Sequence, residues 1–185
     1  MADNRPKPNG STKLAVTEGA TVVRECVLAG EVSFGTRTVV HPTAQILAEK
    51  GPIIIGEGNL IEEKVKIVNN SEEPLIIGNH NVFEVGAVVQ ARSVGDHNTF
   101  ECLSLVGPRV AVGNGCTVGA GCHISTEETL GDDIVVYGAN CDRKRAFDVN
   151  KASNPQIDFL LKVMVNYHHV HKPNRTKDGQ MIEAK

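Results

Sequence analysis

A period of six residues is the feature that most restricts what this chain can fold into. Stepping by six from Val16 gives Val22, Leu28, Phe34, Val40 and Ile46, and after three extra residues the phase resumes at Ile55, Ile61 and Ile67. An insertion precedes Ile77, Phe83 and Val89, and a one-residue deletion leads to Val94. From there the count runs unbroken through Phe100, Val106, Val112, Val118, Ile124, Leu130 and Val136. Every stepped position is apolar, and a small residue follows many of them four places on, as at Ala20, Cys26, Ala44, Ala87, Ser104, Cys116 and Cys122. A strand repeats every two residues and a helix every 3.6, so this spacing fits neither a hairpin nor an amphipathic helix. It fits a short strand followed by a turn, three such units closing a triangular coil of about 18 residues. Residues 14–140 therefore read as an all-β parallel β-helix of about seven coils.

Composition agrees with that architecture. The 185 residues include 18 glycines against 5 Phe, 2 Tyr and no Trp, so the core must be built from small and aliphatic side chains. A net charge of −3 without a basic cluster argues against nucleic acid as a partner. Cys26, Cys102, Cys116, Cys122 and Cys141 form no CxxC spacing and an odd set, which encodes neither a disulfide framework nor a zinc knuckle. A reducing, intracellular setting is expected. The opening residues MADNRPKPNGSTKLA hold no apolar stretch, and no run approaches the roughly 20 residues that cross a bilayer. The chain is thus expected to be soluble and cytosolic, with residues 1–13 a polar, disordered tail.

Taken three at a time, the units give three chemically different faces. Beside one corner stand Gly35, Gly56, Gly78, Gly95, Gly113 and Gly131, where a column of glycine permits positive φ or close backbone approach. The second face carries His41, Glu62, Glu84 and Glu101 at the matching position, and the third Leu47, Val68, Gln90 and Gly107. Asn59, Asn81 and Asn98 recur inward in successive coils, where stacked amides can hydrogen-bond along the axis as a structural ladder. Glu62, Glu84 and Glu101 stack outward about 4.8 Å apart. Like charges so opposed call for a basic counterpart in the chain or on a partner, unless solvent screens them. These three glutamates, or the glycine-lined face, are the candidate partner surface.

Past the solenoid, residues 141–153 read as a linker, and Asn154-Pro155 opens a helix over 154–170. Ile157, Leu160, Leu161, Met164 and His168 form one stripe that needs an apolar surface to cover. Residues 171–185 read as a disordered tail.

Hexapeptide solenoids resemble two enzyme groups. In the γ-class carbonic anhydrase pattern, carried on IGEGN and IGNHN, the three zinc-binding positions fall on Val68, Val85 and Gln90, none of which can replace an imidazole. The supporting Arg/Asp pair falls on Leu47 and Glu49. An acyltransferase needs a histidine base at a subunit groove. His80 and His97 sit in the turn motifs GNHN and GDHN, and His41 and His123 lack that family's surrounding motif. The His168, His169 and His171 cluster lies at a helix C-terminus, where histidine is favoured by the dipole.

The whole chain carries a more specific likeness. The segments GEVSFGTRTVVHPTAQILAEKGPIIIGEGNLIEE, IGNHNVFEVGA, VYGANC and DFLLKVMVNYHH, in this order and with these breaks, resemble the dynactin subunit 6 family from about Leu14 to His171. The resemblance implies a left-handed β-helix and a non-catalytic subunit of the dynactin complex, without metal or cofactor. It implies pairing with dynactin subunit 5 in the pointed-end subcomplex, beside the actin-related protein cap and dynactin subunit 4. It implies a cytoplasmic, cytoskeletal location serving dynein-driven transport, with microtubule, centrosome and mitotic kinetochore association. The stretch from Ile67 to Ile77 is short for that family, and Thr176, the only Ser or Thr of the C-terminal tail, lacks a following proline, so no regulatory phosphorylation carries over. A divergent hexapeptide enzyme is the alternative, and a self-associating trimer a third.

Overall fold

The computed structural model describes residues 12–147 and 155–182. It is a parallel β-helix of about seven coils with a single helix packed on its side. Strands three apart in sequence hydrogen-bond, which gives three sheets of 7, 8 and 6 strands. The first face runs from Lys13–Val16 to Glu128–Leu130, the second from Thr21–Val22 to Ile134–Tyr137, and the third from Val27–Ala29 to His123–Ile124. All pairings within the coils are parallel, and rungs such as Val16 on Phe34 on Ile55 on Ile77 place each six-residue step above its counterpart. Of the stepped residues, only Leu28 is less than fully buried. The core is thus a narrow triangular column of aliphatic side chains, with Phe83 and Phe100 stacked at 4.8 Å.

The glycine column answers to close approach and not to positive φ. A Cβ on Gly35 would stand 2.5 Å from the carbonyl carbon of Gly56 in the coil above, and backbone cannot yield there. Gly131, in the last coil, has nothing within 4 Å of such a Cβ. The left-handed turn positions belong to other residues, among them His80 (φ 56) and His97 (φ 58), whose rings stack at 5.0 Å.

Both ends of the solenoid are finished by chain that the periodicity does not announce. At the far end Asp142–Arg145, inside the expected linker, turns back antiparallel on Ile134–Tyr137. Residues 148–153 of that linker and the capping Asn154 lie outside the described residues, as does most of the N-terminal tail. The helix occupies Pro155–Tyr167 and ends three residues earlier than its pattern suggests. The segment beyond the helix corrects the expectation of a disordered tail. Residues 169–175 run along the edge of the first coil as a strap: the His171 N–H donates to the Val22 carbonyl, and the Asn174 and Arg175 N–H groups to that of Val16. The Asn174 side chain accepts from the Val16 N–H at 2.8 Å and donates to the Leu14 carbonyl at 2.7 Å. An unpaired strand edge presents a row of donors and acceptors. One asparagine and a short extended segment pair with this edge on the first two faces.

Candidate functional site

At two of the three corners the coils are tied by side chains that accept backbone N–H groups of a neighbouring coil. Asn59, Asn81 and Asn98 are fully buried. The Asn59 Oδ1 accepts from the Asn81 N–H at 2.9 Å, the Asn81 Oδ1 from that of Asn98 at 2.9 Å, and the Asn98 Oδ1 from that of Cys116 at 2.7 Å. A second ladder runs outside it. The Asn79 Oδ1 accepts from Glu57, Asp96 from Asn79, Asn114 from Asp96 and Asp132 from Asn114, all through backbone N–H groups at 2.6–2.8 Å. The sequence signal for this ladder is the residue after each of the last four column glycines, Asn79, Asp96, Asn114 and Asp132, which the more prominent glycine obscures.

The glutamates lie at the next corner, and their counterpart is not a base. The Glu62 Oε2 accepts from the Val85 N–H at 3.1 Å, Glu84 from Cys102 at 3.0 Å and Glu101 from Ala120 at 2.8 Å. Each carboxylate therefore closes the turn of the coil above. Burial, with the Glu84 charge adding to it and the Val85 N–H opposing it, holds the Glu62 carboxyl above its ordinary value. The expected need for a basic counterpart is met within the chain by turn amides, which are oriented dipoles fixed by the repeat.

The enzyme positions lie in three different surroundings. Val68 is buried on the third face, Val85 is an exposed turn residue, and Gln90 lines a cleft beside the insertion at Asn70 and Ser71. Among the described residues no group of three His, Cys, Asp or Glu side chains could hold a metal ion. The His41 Nδ1–H donates to the Glu63 carboxylate at 2.8 Å, and His168 lies 3.4 Å from Glu25, so both pair with carboxylates at the corner where the strap leaves the helix. The His169 carbonyl and the His171 N–H belong to the strap.

What the sequence did not single out is the outward column of the first face. Ala15, Ser33, Ile54, Ile76, Ser93, Ala111 and Thr129 stand on successive rungs without one charge. Ile54 is 42% exposed and Ile76 54%. A cavity of about 540 Å³ opens over the first rungs, between Ile54 and the strap residues Asn174 and Met181. The third face, by contrast, presents Gln45, Lys66 and His123 among its outward residues.

Solved structures share the architecture at low identity. A hexapeptide transferase family protein from Anaplasma phagocytophilum superposes with a TM-score of 0.56 at 16% identity, covering 83% of this chain and 88% of its own. An acetyltransferase-type protein from Bacillus cereus does so at 0.51 and 15%, covering 86% and 91%. These likenesses carry the fold, the left-handed hexapeptide-repeat β-helix, and nothing of its chemistry. No family model matches. Full-length relatives are closer: dynactin subunit 6 of Danio rerio is 44% identical, covering 93% of this chain and 94% of its own length. Dynactin subunit 6 of Nematostella vectensis is 42% identical, covering 95% and 100%. That of Xenopus tropicalis is also 42% identical, covering 93% and 90%. With the solenoid, its corner ladders and its side helix spanned end to end by these matches, the chain belongs to the dynactin subunit 6 family.

Proposed function

We propose that this chain is a non-catalytic subunit of a dynactin complex, and that it binds its neighbour through the open first face. The partner is dynactin subunit 5, in a pointed-end subcomplex with the actin-related protein cap and dynactin subunit 4, serving dynein-driven transport and, in mitosis, the kinetochore. The observation that carries this reading is the uncharged outward column with Ile54 and Ile76 exposed on adjacent rungs. An apolar patch that stays exposed among the described residues is what association buries. Stacking end to end on another solenoid is less favoured, because the strap and the terminal hairpin already occupy edges at the two ends. The side chains at the carbonic anhydrase positions, Val68, Val85 and Gln90, support a subunit without zinc chemistry.

Affinity purification of the full chain with mass spectrometry is the test. Recovery of dynactin subunit 5 with the pointed-end subunits is expected. A lone self-associated trimer, or stoichiometric zinc with bicarbonate turnover, would overturn the proposal. Within the same experiment, Ile54→Asp with Ile76→Asp should abolish recovery of the partner. Glu84→Gln with Glu101→Gln, which keeps the accepting oxygens and removes the charges, should leave it intact. The reverse result would return the interface to the glutamate ladder.

A further inference from the structure

Cys122 and Cys141 share the last corner of the solenoid. Thr117 and Val118 pair with Val135 and Val136, so the turn after Val136 lies over the turn that ends in Cys122. Cys141 sits in the reversal between Ile134–Tyr137 and Asp142–Arg145, at a left-handed φ of 52°. The Gly138 carbonyl accepts from both residues, from the Cys141 N–H at 3.0 Å and from the Cys122 thiol at 3.5 Å. The amide next to Cys122, that of His123, donates to the Cys141 Sγ at 3.3 Å. The Cys141 thiol in turn donates to the His123 carbonyl at 3.6 Å, so each side chain is bonded to the turn that carries the other cysteine.

The other three cysteines are bonded elsewhere, away from this corner. Cys26 donates to the Val23 carbonyl, and burial pushes its thiol up to about 12. Cys116 donates to the Gly131 carbonyl, and Cys102 to Glu84. Exposure divides the facing pair into two roles. Cys122 is 2% exposed, whereas Cys141 is half-buried and lines a cavity of about 410 Å³ that His123, Asn140 and Arg143 complete. Arg143 bonds the Cys141 carbonyl and the Glu128 carboxylate, and so holds the reversal that carries Cys141.

We propose that Cys122 and Cys141 are a modification site, a dithiol that a hydroperoxide converts to a reversible disulfide. The Cys141 sulfur attacks one peroxide oxygen. The O–O bond breaks, the sulfur is left as a sulfenic acid, and the thiol proton leaves with the other oxygen as water. The Cys122 sulfur then displaces the sulfenic hydroxyl. An S–S bond forms as the S–O bond breaks, and the Cys122 proton leaves with the hydroxyl as a second water. Two thiols are oxidised and one peroxide is reduced. The product staples the terminal hairpin to the coil beneath it and leaves the first face untouched.

The test uses the reduced full-length protein, treated with hydrogen peroxide, unfolded, alkylated and digested without reductant by trypsin and a glutamate-specific protease that cuts after Glu127 and Glu128. Two of the five cysteines should escape alkylation, in a peptide pair whose fragments join Cys122 to Cys141, and dithiothreitol should restore all five. Cys116→Ser should keep the link, and Cys141→Ser should leave Cys122 open to alkylation. Accumulation of Cys141 as a sulfinic acid with Cys122 alkylated, a link from Cys116 to Cys141, or five alkylated cysteines after treatment would each overturn the proposal.

Discussion

Two of the three faces carry an uncharged outward column, yet among the described residues the helix covers one and Ile54 and Ile76 stay exposed on the other. On the second face the column reads Thr21, Val39, Leu60, Val82, Thr99, Thr117 and Val135. The helix Pro155–Tyr167 lays Ile157, Leu160 and Leu161 across Val39, Leu60 and Val82, and both Val39 and Leu60 fall to 0% exposure. On the first face Ile54, six residues before Leu60, has no such cover and stays 42% exposed. Fully burying a side chain of this size stabilises by about 1.5–3 kcal/mol. The second face gains that within the chain. Among the described residues nothing does the same for Ile54 and Ile76, and under the proposed interface that difference separates a folding surface from an association surface.

The largest effect expected along this contrast comes from removing the cover. Ile157 is 3% exposed in the small cluster beneath the helix. Ile157→Ala should cost about 2 kcal/mol, the lower end of the range for such a truncation because the helix lies on the surface and can settle. Denaturant unfolding measures it, and limited proteolysis should find new cleavage in the helix. A variant with unchanged midpoint and unchanged cleavage would mean that the helix is not held by this contact, and the two faces would then be alike.

The repeat made one of these faces legible and hid the other's meaning. Six-residue spacing locates the inward residues, since Val40, Ile61 and Phe83 must all point to the axis whatever surrounds the solenoid. It gives no weight to outward residues, where Ile54, Ile76, Leu60 and Val82 fall between the stepped positions. The helical stripe from Ile157 to Met164 could be seen to need a surface, but nothing in its period selects the second face over the first. The strap is hidden for a different reason. Its hold on the first coil is backbone pairing plus the side chain of Asn174, which requires no apolar pattern, so HKPNR resembles any polar tail. The glutamate column is visible in the sequence, but its role is not, because backbone N–H groups leave no mark there.

A smaller effect should follow acidity. Burial raises the Glu63 carboxyl, but the His41 hydrogen bond and a backbone N–H more than reverse it, so that it lies below its ordinary value of 4.5. A carboxyl depressed in the folded state contributes stability that is fully present above its unfolded value and is lost as pH falls through the folded one. The Glu63 side chain is 45% exposed, so solvent screening keeps the contribution under about 1 kcal/mol. Stability should therefore decline below about pH 4.5, and Glu63→Gln should remove that part of the decline. The contribution belongs to the corner that ends the covered face. The open face has no titratable group in its outward column, so partner binding through it should be flat over the same range. Binding that falls in step with Glu63 would tie the interface to this corner.

A comparable small contribution holds the helix start. The Arg37 guanidinium lies 2.8 Å from Asp158, with both side chains about half exposed. Arg37→Ala should cost about 0.2–1 kcal/mol and should lose its effect at high salt. An equal loss at all salt concentrations would assign the cost to packing of the arginine stem.

The smallest effect on folding should be the most informative. Ile76→Ser replaces the most exposed apolar residue of the open column with the residue type found at Ser33 and Ser93 in the same column. In the isolated chain it removes little burial, so the unfolding midpoint should move by less than about 0.5 kcal/mol. Leu60→Ser, placed under the helix, should cost several times that, because it adds a hydroxyl to a dry contact as well as deleting apolar area. In the presence of the partner the ranking should invert for binding. Leu60→Ser protein that remains folded should still be captured, and Ile76→Ser protein should be captured less. If Ile76→Ser destabilised the free chain as much as Leu60→Ser, something in the chain itself would have to cover the first face, and the division between folding and association surfaces would fail at that residue.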